Sequence, residues 1–230
     1  MQMARRVEPE WLDELPATDA RAQRSRRDLA RVNALMSNAG IVARAMRLMP
    51  AARVRSIAEI GAGDGAFALG LARRLSRAEG AEFTLLDRQP IVGPATAGAF
   101  VRGGWKVRAV EADVFDWLRA ETTPRFDAIV ANLFLHHFEP AALAELLRLA
   151  AARTPLFVAC EPRRSGVAML GSRLLGLVGC NDVTRHDAVV SVRAGFRDSE
   201  LAALWPPGDA WELDEGARGL FSHVFVARRR

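Results

Sequence analysis

Three glycines at alternate positions, Gly61, Gly63 and Gly65, stand in the string Glu59-Ile60-Gly61-Ala62-Gly63-Asp64-Gly65, between an apolar run and a helical pattern. Glycine at such positions lets the backbone turn sharply and approach a ligand closely. The helix behind it favours a negatively charged group at its N-terminus. The string lacks the Gly-Lys-Ser/Thr of a phosphate-binding P-loop, and its Gly-x-Gly-x-Gly spacing differs from the Gly-x-Gly-x-x-Gly of dinucleotide loops. Its own carboxylates, Glu59 and Asp64, oppose a pyrophosphate but suit a ligand that carries a sulfonium and an ammonium.

Further along, Asp87, followed by Arg88, closes the next apolar run. An acid there can accept both hydroxyls of a ribose, and taken alone it is equally an ordinary turn residue. Asp113-Val114-Phe115 ends a third run. Asp113 can accept the exocyclic amine of adenine, with Val114 or Phe115 over the ring, or can cap a helix that starts at 114. Asn132 opens Asn132-Leu133-Phe134-Leu135-His136-His137-Phe138 after a fourth run, which puts polar side chains at the crevice beyond the strand ends of an open sheet.

Imidazole titrates near neutrality, so His136 and His137 are candidate proton acceptors. Adjacent residues rarely point the same way, so at most one is expected to face a substrate, with His136 the first choice; otherwise both pack on or cap the helix that begins at Pro140. His186, in the polar stretch Asn181 to Asp187, is a third candidate for the substrate mouth and equally a surface residue. Glu161 follows a fifth run near the crevice edge, and Arg163 beyond it could bind a substrate carboxylate or merely be solvated. No His/carboxylate set has ligand spacing along the chain, so no metal site is read and a magnesium-dependent catechol mechanism is disfavoured.

Positioning these groups requires alternating strands and helices. Strands are expected at 54–60, 82–87, 105–113, 126–134 and 155–161, and helices at 67–75 and 140–151. A short helix follows at 199–205, and two strands around a glycine turn end the chain. Such alternation implies a parallel sheet covered on both faces, with the final hairpin adding one antiparallel strand. Residues 1–25 read as a loose or short-helical lead. A helix from Asp28 carries Leu29, Val32 and Met36, and a second carries Ile41, Val42, Ala45, Met46 and Met49 before Pro50. Residues 1–50 form an N-terminal helical segment or cap on a single domain at 51–230, and 162–193 is an insert near the substrate site.

The 230 residues are half apolar and carry a net charge of +5, almost all from arginine, with Lys106 the only lysine. The arginine runs at 21–31 and 228–230 read as a solvated helix face and a chain end; with no tyrosine and no interleaved aromatic residue, no base-stacking platform and no nucleic-acid partner is expected. The two cysteines, Cys160 and Cys180, are too few for a disulfide framework and read as buried thiols of a reducing compartment. With no signal-like or membrane-spanning run, a cytoplasmic protein without a membrane partner is expected.

EIGAGDG, LLD, EAD and ANLFLHHF, in this order and spacing, resemble the class I S-adenosylmethionine (SAM)-dependent methyltransferases, most of all the branch of quinone-biosynthesis and secondary-metabolite enzymes. Ala194-Gly195-Phe196 before the last strands is also similar. The resemblance implies a Rossmann-like, doubly wound, seven-stranded α/β sheet with its last strand antiparallel, and SAM as cofactor. It implies that Glu59 and the loop glycines hold the methionine part, Asp87 the ribose and Asp113 the adenine. Residues 1–50 and 162–193 match no motif of the family. The activity so implied is methylation of a small molecule, foremost an aromatic or polyketide-like hydroxyl. The alternatives are carbon methylation of a quinone-like ring, and methylation of RNA or protein through the arginine-rich helix. The oligomeric state is left open.

Overall fold

A computed structural model describes residues 3–47, 54–76 and 79–230. Met49 and Pro50, which bear on the end of the second expected helix, lie outside them. The strands are β1 (Ser56–Ile60), β2 (Glu82–Asp87), β3 (Lys106–Glu111), β4 (Ala128–Asn132), β5 (Leu156–Pro162), β6 (Trp211–Arg218) and β7 (Ser222–Arg229). They form one seven-stranded sheet in the order β3-β2-β1-β4-β5-β7-β6. β1 to β5 run parallel, while β7 pairs antiparallel with both β5 and β6. The order reverses between β1 and β4, and such a switch point opens a ligand crevice at the strand ends.

Alternation along each strand supplies two cores. Ile57, Phe83, Val130 and Val158 face one layer with Phe100 and Trp105. Ala58, Ile60, Ile129 and Phe157 face the other, against Leu143, Leu146 and Leu147. β1, β4 and β5 are buried on both faces, as near-continuous apolar runs require. β3 lies at one edge, and its Lys106 and Arg108 point charge at a position where unpaired backbone would otherwise invite another strand.

The covering helices start where local chemistry predicts. α4 (Ala66–Ala72) follows Gly65, and α5 (Pro94–Arg102) and α7 (Pro140–Arg153) carry proline in the first turn. α6 (Val114–Arg119) is capped by Asp113. The expected helix at 199–205 shrinks to a 3-10 turn, Ala202–Leu204. Here the Leu201 and Ala202 amides donate to Glu215, at 3.0 and 2.6 Å, rather than continuing a helix.

Three helices precede the sheet: α1 (Trp11–Glu14), α2 (Ala20–Met36) and α3 (Asn38–Met46). α2 therefore starts eight residues before the expected Asp28, capped by Asp19, whose carboxylate accepts from Arg21 N at 2.7 Å. Its buried face is Ala22, Ser25 and Asp28, small and polar, which hydrophobic periodicity cannot detect. The insert at 162–193 holds α8 (Gly166–Arg173), a 3-10 turn at Leu174–Val178 and α9 (Asp182–Ala194). α9 receives the buried face of α2: Ser25 Oγ lies 2.9 Å from Thr184 Oγ1, and Asn181 N donates to Asp28 at 2.8 Å. Asp187 accepts the amides of Trp11 and Leu12 at 2.8 and 3.0 Å, capping α1. The insert is thus the backing of the N-terminal cap. Among the described residues no helix is long and apolar enough to cross a membrane. Cys160 and Cys180 are free and buried.

Candidate functional site

A cavity of about 530 Å³ opens at the strand switch point. Its floor is the sequence motif set: Glu59, Gly61, Gly63 and Asp64, then Asp87 and Arg88, then Asp113 and Val114, then Asn132. Gly65 lies beneath the floor, where a side chain would run into Leu85. The roof comes from the N-terminal segment, with Val7, Pro9, Glu10, Leu12 and Asp13, and from α2, with Arg26, Leu29 and Asn33. No residue of 162–193 lines the cavity; the insert meets the roof from behind.

All three loop glycines have positive φ, a region costly for other residues. A Cβ on Gly61 would meet the Phe134 ring at 2.1 Å, whereas one on Gly63 would meet nothing within 4 Å and project into open space. Gly63 N donates to Asp87 Oδ2 at 2.8 Å, and Gln89 N donates to Asp87 Oδ1 at 2.9 Å. Asp113 Oδ1 accepts from Phe115 N and Asp116 N at 2.8 and 3.3 Å, so its capping role is real and shares the side chain with the cavity. Asn132 Oδ1 accepts from Asn38 Nδ2 at 3.0 Å, tying β4 to α3.

Glu59 is the anomaly. Its side chain is buried on the cavity floor, and Oε2 has no hydrogen-bond partner. Burial, with the nearby charges of Asp64 and Asp87, pushes its carboxyl well above the ordinary carboxylate range. Carboxylates dominate the wall: Glu8, Glu10, Asp13, Glu59, Asp64, Asp87 and Asp113 face Arg26 and Arg88. In a chain of net charge +5 this is a local inversion that favours a cationic ligand. The orphaned Glu59 oxygen and this donor set fit the ammonium and sulfonium of SAM.

The segment after β4 turns through Leu133, a non-glycine residue at φ 53° on the cavity wall. Glu161, fully buried at the end of β5, holds the residues beyond that turn: Oε1 accepts the amides of Phe134 and Leu135, both at 3.0 Å, and Oε2 lies 2.8 Å from His136 Nδ1. His136 Nε2 lies 3.2 Å from Glu10 Oε1. Burial opposes its charge, but the hydrogen bonds and charges of Glu10 and Glu161 prevail and raise its pKa to about 9. His136 does not line the cavity; His137 does, with Nδ1 3.4 Å from Asp13 Oδ2. Burial and the charge of His136 hold His137 below the ordinary imidazole pKa. The pair thus divides, with His137 on the cavity wall and His136 behind it. His186 stacks on Trp11 at 3.8 Å and lies outside the cavity lining, as does Arg163, whose guanidinium reaches Gly219 O.

Sequence reasoning missed Glu10, Asp13 and Arg26. No local signal marks them: they reach the cavity only because the lead segment is laced to the far side of the fold. Arg5 donates to Ala194 O at 2.8 Å and Phe138 O at 2.9 Å, and Arg164 donates to Met3 O at 3.0 Å.

Residues 57–154 match the family of methyltransferase domains. No curated protein matches the chain in sequence. In fold it is similar to an O-methyltransferase family protein from Burkholderia thailandensis, at 17% identity and a TM-score of 0.61 over 93% of this chain and 61% of that one. It is similar to magnesium protoporphyrin IX methyltransferase from Synechocystis, crystallised with bound SAH, at 10% identity and a TM-score of 0.56 over 95% and 91%. A third is mitomycin 7-O-methyltransferase, at 20% identity and a TM-score of 0.58 over 95% and 60%. The chain spans about three-fifths of the first and third of these proteins. The family match thus runs from β1 to the end of α7, and the likeness to these solved structures extends the shared fold over nearly all of the chain.

Proposed function

We propose that the protein transfers a methyl group from SAM to a hydroxyl of a small aromatic acceptor. The observation that carries the reading is Glu59: a buried carboxylate with one unpartnered oxygen on an acidic cavity floor, directly before the glycine loop. In this reading Glu59 receives the ammonium, the amides of the loop at Gly61 and Gly63 approach the methionine part, and Asn132 borders it. Asp87 takes the ribose hydroxyls while holding the loop, and Asp113 and Val114 border the adenine. SAM supplies a methyl group already activated by its sulfonium.

The remaining wall serves the acceptor. Phe134 and Phe138, packed edge to face at 5.1 Å, together with Leu12 and Leu29, form an apolar slot for a ring. In this reading His137, an imidazole on the cavity wall, receives the hydroxyl proton as the oxygen attacks the methyl carbon and the methyl–sulfur bond breaks. The chain's contribution is alignment, exclusion of water by the N-terminal roof, and a place for that proton.

The test has two parts. Calorimetry should show binding of SAM and S-adenosylhomocysteine and none of NAD. A panel of phenols, enols and quinones incubated with SAM should then yield at least one product in which a methyl replaces a hydroxyl hydrogen, read by mass spectrometry. NAD binding without SAM binding would sink the reading at its first step. Methylation only at carbon would move it to the quinone-ring alternative.

A further inference from the structure

We propose that Glu10, His136 and His137 form a binding site for a divalent transition-metal cation at the acceptor end of the cavity, zinc being the first candidate. One donor atom from each lies within 4.8 Å of the others. Glu10 Oε1 and His136 Nε2 are 3.2 Å apart, the separation of two ligands that each sit roughly 2.0–2.2 Å from a tetrahedral zinc. Two imidazoles and one carboxylate are a recurrent donor set for Zn²⁺ and Fe²⁺, and leave positions open for water or substrate.

The outer partners of a metal site are also in place. A metal-binding histidine characteristically gives its other ring nitrogen to a carboxylate or carbonyl, which fixes tautomer and ring plane. His136 does this through Nδ1 to Glu161 at 2.8 Å, which leaves its Nε2 toward Glu10, and His137 has Asp13 beside it, with Nδ1 3.4 Å from Oδ2. Glu10 is itself held by the Ser191 hydroxyl. Glu10, Asp13 and Glu161 bring three carboxylates around two imidazoles, a set that a dication balances better than a single proton does. Glu10 and His137 line the cavity, so a cation between them faces the acceptor slot.

With a cation bound, His137 would be its ligand and not the proton acceptor; the cation would hold the acceptor oxygen and lower the cost of its deprotonation, the proton leaving to water. That role rests on the methyl-transfer reading; the site does not. It also explains why no ligand spacing is visible along the chain: the carboxylate arrives from the N-terminal roof, and only the fold brings it to the histidine pair.

The experiment uses the full chain, treated with a chelator and then titrated with Zn²⁺ by calorimetry and with Co²⁺ by visible absorption. The expected result is one saturable site with a Co²⁺ spectrum of low coordination number. Glu10→Gln and His137→Ala should each weaken it by at least about 10-fold, while Asp64→Asn, a cavity carboxylate outside the cluster, should leave it. Glu10→Gln is conservative enough to keep the fold if His136→Ala does not. Absence of saturable binding overturns the site, as does equal weakening by Asp64→Asn, which would mean diffuse attraction to an acidic cavity. SAM affinity, measured on the same samples, separates the two claims. Metal binding without SAM binding retires the methyltransferase reading and keeps the site, and SAM binding without metal does the reverse.

Discussion

Gly63 N donates to Asp87 Oδ2 at 2.8 Å, so the glycine loop after β1 and the acid at the end of β2 are one mechanical unit. The acid expected to hold the ribose also holds the loop expected to hold the methionine part. Asp87→Ala should weaken SAM affinity by about 1–3 kcal/mol and leave the protein folded, because the cavity floor and not the core loses a group. Asp87→Asn retains one acceptor for Gly63 N and should lose less. Calorimetric titration of both variants decides it. Equal, near-wild-type affinity in both would make Asp87 a turn residue alone.

Glu59 exchanges stability for binding. Its folded-state pKa lies above its unfolded value, so the native state holds a proton that the unfolded chain has released. Stability is therefore lost as pH rises from the ordinary carboxylate range through the raised folded pKa. A cationic ligand reverses this by favouring the ionised form. SAM affinity should rise with pH through the raised pKa of Glu59, with proton release on binding visible as a buffer-dependent enthalpy. Glu59→Gln should weaken SAM by roughly 10- to 100-fold, equivalent to about 1.5–3 kcal/mol for a charged hydrogen bond. The same variant should leave the ligand-free Tm unchanged or raise it. A lower Tm with unaltered affinity would make the carboxylate structural.

The loop glycines separate two kinds of constraint. Gly63→Ala meets nothing within 4 Å and adds only the strain of φ +55°, about 1–2 kcal/mol. It should fold, melt a few degrees lower, and bind SAM at least about 10-fold more weakly, because its methyl enters the cavity. Gly61→Ala would strike Phe134 at 2.1 Å and must displace that ring. Its larger loss should appear in thermal stability and in the Michaelis constant for the acceptor. Indistinguishable variants would refute the division.

A buried pair far from the cavity holds the end of the sheet. His223 Nε2 lies 2.8 Å from Glu215 Oε1, with both side chains nearly inaccessible, and Glu215 also receives Leu201 N and Ala202 N. Glu215→Ala leaves a buried imidazole and two amides unmatched and should cost roughly 3–5 kcal/mol in denaturant unfolding, with SAM affinity unchanged. A loss under about 1 kcal/mol would show that water replaces the carboxylate.

The strands, their order of appearance and the cavity floor were legible in the sequence, because each is written locally. Apolar runs, alternating glycines and acids at strand ends act through residues next to one another, and the doubly wound order with its β1–β4 switch point came with the family resemblance. The cap that Asp113 places on α6 was legible for the same reason. The roof was not. α2 buries Ser25 and Asp28, whose partners Thr184 and Asn181 lie in and beside α9, so its contacts leave no apolar period to read. The choice between His136 and His137 was likewise beyond the sequence. Neighbouring imidazoles look identical along the chain, and only Glu161 from β5 and Glu10 from the roof turn one inward to carboxylates and leave the other on the cavity wall. Covalent neighbours and side-chain period decided the sheet and the cavity floor; the roof and the setting of the histidine pair were decided by contacts between segments far apart in the chain, which only folding brings together.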